Sequence, residues 1–227
     1  SAAGLNLKAM DPGRIVMVVF DYPKEAFEEF SVEREGKIAF ALSGALKVLK
    51  RAGKEDTVEL VLGNREILTH LEMWIRGKYE RVFNLPILES MEEELPTPKL
   101  SHEATVKLTV QALNNAIEDA ALVSDYVEVI TEPQNFKLQA RGEATTGDIK
   151  FVKGASPDLL DIEKQDMVNS TKAYFSLQYL KEIVKGMRGL ADVAVIRYRS
   201  DMPIQIDAQA SKGSMTFYQA PRIEVED

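Results

Sequence analysis

Residues that could carry out covalent or metal chemistry are few in this 227-residue chain, and their spacing does not suit it. There is no cysteine, which removes disulfides and thiolate nucleophiles and leaves zinc only His70 and His102 as nitrogen ligands. Neither histidine stands beside an obvious acid or nucleophile. GEATTGD, from Gly142, has the glycine spacing of a phosphate loop, but Asp148 occupies the place where such a loop needs lysine, so the stretch reads as a turn. Asn169-Ser170-Thr171 is a glycosylation signal in spelling only, because a cysteine-free chain fits a reducing compartment. Glu92, Glu93 and Glu94 could be taken for metal ligands, yet adjacent acids on an extended segment point in different directions and read as solvated. These residues predict no active site, no metal and no cofactor.

The residues suited to binding are more informative. A helix predicted over about 42–53 is expected to bury Leu42, Leu46 and Leu49 and to show Lys47, Lys50, Arg51 and Lys54 at helical spacing on its other side. A second, over about 176–188, is expected to bury Leu177, Leu180, Ile183 and Val184 and to show Lys181, Lys185 and Arg188. One such stripe is what any solvated helix presents. Two at equivalent places, in a chain of net charge −8, point to phosphate, and attraction to phosphate is independent of base sequence. A third helix, over about 109–123, departs from this: its polar face offers Gln111, Asn114, Asn115, Glu118 and Asp119, with no lysine or arginine. The chain also ends on TFYQAPRIEVED, which keeps Tyr218, Ala220, Pro221 and Ile223 close to the terminus, where apolar residues suit a binding surface. Ile15 and Phe217 are instead expected in the core.

The elements that must position these residues are visible in an internal repeat. KIAFALSGALKVLK from Lys37 lies over KAYFSLQYLKEIVK from Lys172 at an offset of 135, so that Phe40 meets Phe175 and Lys50 meets Lys185. TVELVL from Thr57 and NLPILE from Asn84 find DVAVIR and QAPRIE at the same offset, and LNLKAM from Leu5 resembles FKLQAR at an offset of 131. The second half has an additional strand, helix and strand ahead of Phe136. The first half lacks them, so roughly thirty residues are expected to be absent before Leu5. PILESMEEELPTPKLSHE, with three prolines and three consecutive glutamates, reads as an extended linker. The expected organisation is α+β: a half over 1–86, a linker over 87–100 and a half over 101–227. No apolar run approaches the eighteen or so residues of a membrane span, so the chain is expected to be soluble.

LNLKAMDPGRIVMV, LKVLKRAGKEDTVEL and FYQAPRIE, in that order, resemble the signatures of the proliferating cell nuclear antigen family of DNA sliding clamps, in an archaeal form. The resemblance covers the whole chain. It implies two copies of one fold per chain and three chains, identical or paralogous, closing head to tail into a ring with helices lining the hole and sheets outside. Duplex DNA would pass through, and the setting would be the cytoplasm and nucleoid of an archaeon. It also implies a groove in which Met10, Met17, Leu95, Pro203, Tyr218, Ala220, Pro221 and Ile223 converge, with Ile15, Leu100, Met202 and Ile204 nearby. Such a groove would receive the PIP-box of DNA polymerase, flap endonuclease or DNA ligase, and the clamp loader replication factor C would be a further partner. The ring contact it implies pairs Tyr79 to Leu85, including Arg81, Val82 and Phe83, with Thr146 to Lys153, including Asp148, Ile149 and Phe151. Two rivals from other classes are an enzyme with a site between duplicated halves and an adaptor that does not bind DNA. The first would need facing acids or histidines that the chain lacks, and the second leaves the paired basic stripes without a role.

Overall fold

A computed structural model of the chain describes residues 1–62, 69–89 and 95–222. The first half runs β1 (Gly4–Met10), β2 (Val16–Pro23), β3 (Ala39–Phe40), α1 (Leu42–Leu49), β4 (Thr57–Leu62), β5 (His70–Arg76) and β6 (Glu80–Leu88). Beyond the linker come β7 (Ala104–Thr109), α2 (Val110–Ala120), β8 (Tyr126–Glu132), β9 (Asn135–Arg141), β10 (Thr146–Val152) and β11 (Leu159–Lys164). The chain finishes with β12 (Thr171–Ser176), α3 (Leu177–Met187), β13 (Val193–Tyr198), β14 (Ile204–Ala210) and β15 (Gly213–Gln219). Helices and antiparallel strands together make the α+β architecture that the repeat predicts. The hairpin β9–β10 repeats β1–β2, β12 and α3 repeat β3 and α1, and β13–β15 repeat β4–β6. Among the described residues, β7–α2–β8 has no counterpart in the first half, and the region answering to β11 holds only a short 3-10 turn at Lys24–Ala26.

Two compact bodies result, Ser1–Val32 with Leu95–Asp227, and Glu33–Glu94. They cut across the sequence repeat because β2 is hydrogen-bonded to β15, which ties the β1–β2 hairpin to the second half. The larger body holds a seven-stranded sheet ordered β1-β2-β15-β14-β13-β7-β11 and a four-stranded sheet ordered β10-β9-β8-β12, with α2 and α3 packed together over the core between them. Tyr198 links the two sheets from inside: its buried hydroxyl lies 2.8 Å from that of Thr131 on β8 and donates to the Thr171 carbonyl of β12 at 3.0 Å. The smaller body holds the sheet β3-β6-β5-β4 with α1 packed on it through Ala45 and Val48.

The junction of β2 and β15 explains an apolar run in the sequence. VMVVF breaks strict alternation because both faces of β2 are covered: Val16 and Val18 face the main core, while Met17 and Val19 join Tyr218 on the outer face. Phe217 of β15 lies in the main core, as expected of it. Ile15 departs from expectation and is exposed in the turn before β2.

The helices are shorter than the apolar periodicity suggests. Thr109 caps α2 by accepting the Ala112 N–H at 3.2 Å, and residues 121–123 turn away. Gly189, at φ 81°, turns the chain just after α3. Helix α1 stops at Leu49, and Gly53 beyond it donates to Asp56 at 2.9 Å, so Lys50 caps the helix while Arg51 and Lys54 follow it. The expected burial on α1 is also reversed: Leu42, Leu46 and Leu49 are 47%, 51% and 43% exposed. Leu177 and Val184, the α3 equivalents of Leu42 and Leu49, are buried because α2 packs beside that helix, whereas the described residues of the smaller body hold no second helix to cover α1; the equivalent of Leu46 is the exposed Lys181. Asn114, expected on the polar face of α2, is buried.

Gly213 opens β15 where a side chain would not fit, since an added Cβ would lie 2.6 Å from the Asp21 carbonyl oxygen of β2. Gly213→Ala should therefore lower stability by about 1–3 kcal/mol through strain at this junction. The check is the urea midpoint, and an unchanged midpoint would mean that the junction contributes little.

Candidate functional site

The outer face of the seven-stranded sheet gathers an apolar cluster. Met17 and Val19 of β2 and Tyr218 of β15 form its buried floor, at 2%, 9% and 9% exposure, and Met10, Leu95 and Leu100 pack half-buried against them. Sequence reasoning placed Met10, Met17, Leu95 and Tyr218 together, and the fold brings those four into one cluster. Val19 was missed, since nothing in its immediate sequence separates it from the core-facing valines beside it. Pro203 is half-buried one residue before β14, and Ile204 beyond it belongs to the main core. Ile223, Glu92, Glu93 and Glu94 lie outside the described residues.

Asp11 organises the turn that leads into this cluster. Its carboxylate accepts the N–H groups of Gly13 at 3.0 Å and of Ile15 and Val16 at 2.6 Å, and the Tyr179 hydroxyl of α3 at 3.4 Å. Burial pushes the Asp11 carboxyl up, but the donors from Val16, Ile15, Gly13 and Tyr179 outweigh it and hold the group below the ordinary carboxylate range. The bonds also fix Arg14 at φ 55°, a left-handed conformation.

The chain beyond β15 is tied down residue by residue. Ala220 donates its N–H to the Ile15 carbonyl at 2.9 Å and Arg222 donates to the Tyr174 carbonyl at 2.8 Å. The Arg222 guanidinium sits 4.1 Å from the Tyr126 ring centroid, and Ala220 and Pro221 remain half-buried between these two anchors. At the other end of the linker, Glu103 is bonded to Tyr198 and Gln165 through its backbone and to Arg199 at 2.9 Å through its side chain. His102 beside it is half-buried with Nδ1 unpartnered, and burial and then Arg197 push its pKa down against the opposing pull of Asp207 and Gln205.

All seven basic residues of the two stripes are exposed: Lys47, Lys50, Arg51 and Lys54 around the end of α1, and Lys181, Lys185 and Arg188 along α3. Lys185 and Glu182 lie 3.4 Å apart at over two-thirds exposure, a weak surface pair. The exposed face of α2 carries Gln111 bonded to Asn115 at 2.8 Å, together with Glu118 and Asp119.

The residues weighed for chemistry fall into structural settings. Gly142 closes the β9–β10 turn by donating to the Thr145 carbonyl at 2.9 Å. Asn169 donates its side-chain amide to Asp166, whose carboxyl is held at about 2 by that bond and by the N–H groups of Val168 and Asn169. His70 does have an acid beside it: Glu72 is 3.5 Å away, and Thr69 lies 2.9 Å from the other ring nitrogen. The spacing of two along a strand could have shown this. That Glu72 also accepts the Trp74 indole N–H at 2.9 Å. Among the described residues no group of three or more histidines and acids could hold a metal ion.

Fold and site together define a duplicated α+β binding protein whose surfaces are a lidded apolar cluster and two basic helix ends. The chain matches the family model "proliferating cell nuclear antigen, N-terminal domain" over residues 1–81 and its C-terminal counterpart over 97–223. The DNA polymerase sliding clamp of Thermococcus fumicolans is 36% identical over 97% of this chain and 86% of its own length, and that of Pyrococcus horikoshii is 33% identical over the same shares. Among solved structures, the clamp of Thermococcus kodakaraensis superposes with a TM-score of 0.88 at 30% identity, over 98% of this chain and 88% of its own. A PCNA2–PCNA3 complex from Sulfolobus tokodaii gives 0.85 at 25% identity, over 99% and 88%. The chain belongs to the proliferating cell nuclear antigen family.

Asp11→Ala removes three backbone acceptor bonds and is expected to cost about 1–3 kcal/mol. Because the folded carboxyl is depressed, its contribution is present above the unfolded pKa and is lost as pH falls through the folded value. Urea titrations of wild type and variant should differ at pH 7 and converge as the pH falls through the folded value. A gap that persisted in acid would assign the loss to packing.

Proposed function

We propose that this chain is a DNA polymerase sliding clamp, which encircles duplex DNA, catalyses nothing itself and keeps replication and repair enzymes on their template. The observation that carries the reading is identity of 36% over 97% of the chain to a protein of that name. Exposed lysines at repeat-equivalent places on α1 and α3 support it physically, since Lys50 and Lys185 occupy matching positions in an acidic chain. Contacts of this kind grip the phosphate backbone without reading bases, which lets a closed ring slide. Ring closure would run through β6, with Tyr79, Arg81, Val82 and Phe83, and β10, with Thr146, Asp148, Ile149 and Phe151. The halves would be 1–86 and 101–227 joined by a linker over 87–100, and the working place the archaeal cytoplasm at the nucleoid.

Partners would dock at the apolar cluster. Met17 and Tyr218 supply a floor, Met10 and Leu95 a half-buried rim, and Pro203, Ala220 and Pro221 the flank beside the anchored tail. Methionine and proline make a surface that adapts to several clients, which suits PIP-box segments of DNA polymerase, flap endonuclease and DNA ligase, and the clamp loader replication factor C.

Two experiments test this. Lys47→Glu with Lys185→Glu should shorten retention on closed circular DNA and flatten the salt dependence of binding by about one unit of slope per lost phosphate contact, with folding unchanged. An unaltered slope would leave these lysines as solvated surface. Bulky or charged replacements of Ala220 and Pro221 should weaken binding of a PIP-box peptide about tenfold or more while assembly persists. Normal peptide binding by calorimetry would remove the tail from the docking site.

A further inference from the structure

Beneath the linker the apolar cluster adjoins a polar patch that docking leaves unused. One row of side chains crosses five strands on the outer face of the seven-stranded sheet: Arg197 on β13, Gln205 on β14, Tyr218 on β15, Met17 on β2 and Met10 on β1, each opposite the next. The linker follows that row. Leu95 and Leu100 pack on its apolar end, with Met17, Val19 and Tyr218. His102 meets its polar end, faced by Arg197 of β13 and by Gln205 and Asp207 of β14. Pro98, Leu100 and His102 are half-buried while Lys99 and Ser101 between them are exposed, an alternation that turns His102 to the same side as Leu100.

The polar end suits a neutral imidazole. Asp207 already has a cation in Arg197, and its carboxylate also accepts the Thr216 hydroxyl at 2.7 Å and the Gln205 amide at 3.0 Å. On the linker side, Glu103 is engaged by Arg199 at 2.9 Å. Tyr218 stays uncharged, since burial and then Asp207 push its hydroxyl pKa up. Arg197 therefore sets a positive charge near the ring, and the acids around it are occupied. A charged imidazole donates from both nitrogens. Nδ1 of His102 is buried with no acceptor to receive that bond, so charging the ring in place leaves an N–H unsatisfied.

We propose that His102 is the catch of a strap: its neutral ring holds residues 95–101 along the row, and its protonation lifts them, takes Leu95 and Leu100 off the apolar floor and weakens docking there. The docking step rests on the clamp reading, whereas the release of the strap does not. The chain on either side of the catch decides which part gives way. On one side Glu103 is fixed by backbone bonds to Tyr198 and Gln165. On the other, residues 95–101 make no hydrogen bond or ion pair among the described residues and are held by apolar contact through Leu95 and Leu100. A cost placed at His102 is therefore relieved by the strap and not by the sheet. Burial and then Arg197 favour the neutral ring in the folded chain. The catch is accordingly complete above the ordinary histidine range and is lost as pH falls through the lowered folded value.

The test labels the methionine methyls of the full chain for NMR and adds a soluble nitroxide, which broadens the signals it can reach. Met17 lies on the floor beneath the strap and is buried, as is Met187 in the main core, whereas Met167 is exposed. Between about pH 7.5 and about pH 5.5 the Met17 signal should broaden toward the level of Met167, while Met187 stays sharp. His102→Gln and His102→Phe take up no proton there and should keep Met17 sharp throughout. His70→Gln, in the smaller body, should behave as wild type. Affinity for a PIP-box peptide without histidine should fall about tenfold over the same range in wild type and stay level in the two His102 variants. A Met17 signal that stays sharp in wild type overturns the inference, as does one that broadens equally in both His102 variants. Peptide bound equally well at both ends of the range while Met17 broadens overturns the link to docking. Peptide bound at neither end, with Met17 behaving as expected, sinks the docking reading alone and leaves the strap.

Discussion

The hydrogen-bonded seam between β2 and β15 is the contact on which the rest of the larger body depends. It joins a hairpin from the start of the chain to a strand from its end, across nearly two hundred residues, and so makes one sheet from both halves of the repeat. Its two faces serve different purposes: Val18 and Phe217 seal the core beneath α2 and α3, while Met17 and Tyr218 floor the apolar cluster outside. A residue pair one step along the seam changes face, so the register that builds the core also builds the groove.

Small fixed points keep that register. Asp11 holds the β1–β2 turn through three backbone bonds, Gly213 lets β15 approach the Asp21 carbonyl, and Tyr198 links the second sheet to the first through Thr131 and Thr171. None of these groups is large, and each acts by leaving no buried backbone group without a partner or no room for a shift. Arg222, spread over Tyr126, carries the same ordering past the last strand.

Much of this was legible in the sequence because a repeat shows order without needing geometry. The correspondence of Phe40 with Phe175 places α1 and α3, and the alternation in TVELVL and DVAVIR places the strands after them. The floor of the groove was legible for Met17 and Tyr218 because their motifs were. What escaped depends on partners distant in sequence. Leu42 and Leu49 align with the buried Leu177 and Val184 of α3, and what separates their fates is that α2 covers α3 while the described residues of the smaller body hold no second helix over α1. Val19 reads as one more valine in an apolar strand until the linker residues Leu95 and Leu100 are seen resting on its face. The helix ends were overrun because amphipathic periodicity continues into turns that Thr109, Gly189 and Asp56 govern locally.

The seam also separates covalent connection from mechanical connection. Residues 95–103, from the last part of the linker to the start of β7, form no strand or helix, yet the chain on either side of them meets again where β2 lies along β15. A nick in that linker would open one peptide bond and leave the six residue pairs of the seam in place. The N-terminal hairpin is therefore a tenant of the second half's sheet, and two separately made fragments divided at the linker carry, in β2 and β15, the surfaces needed to find each other.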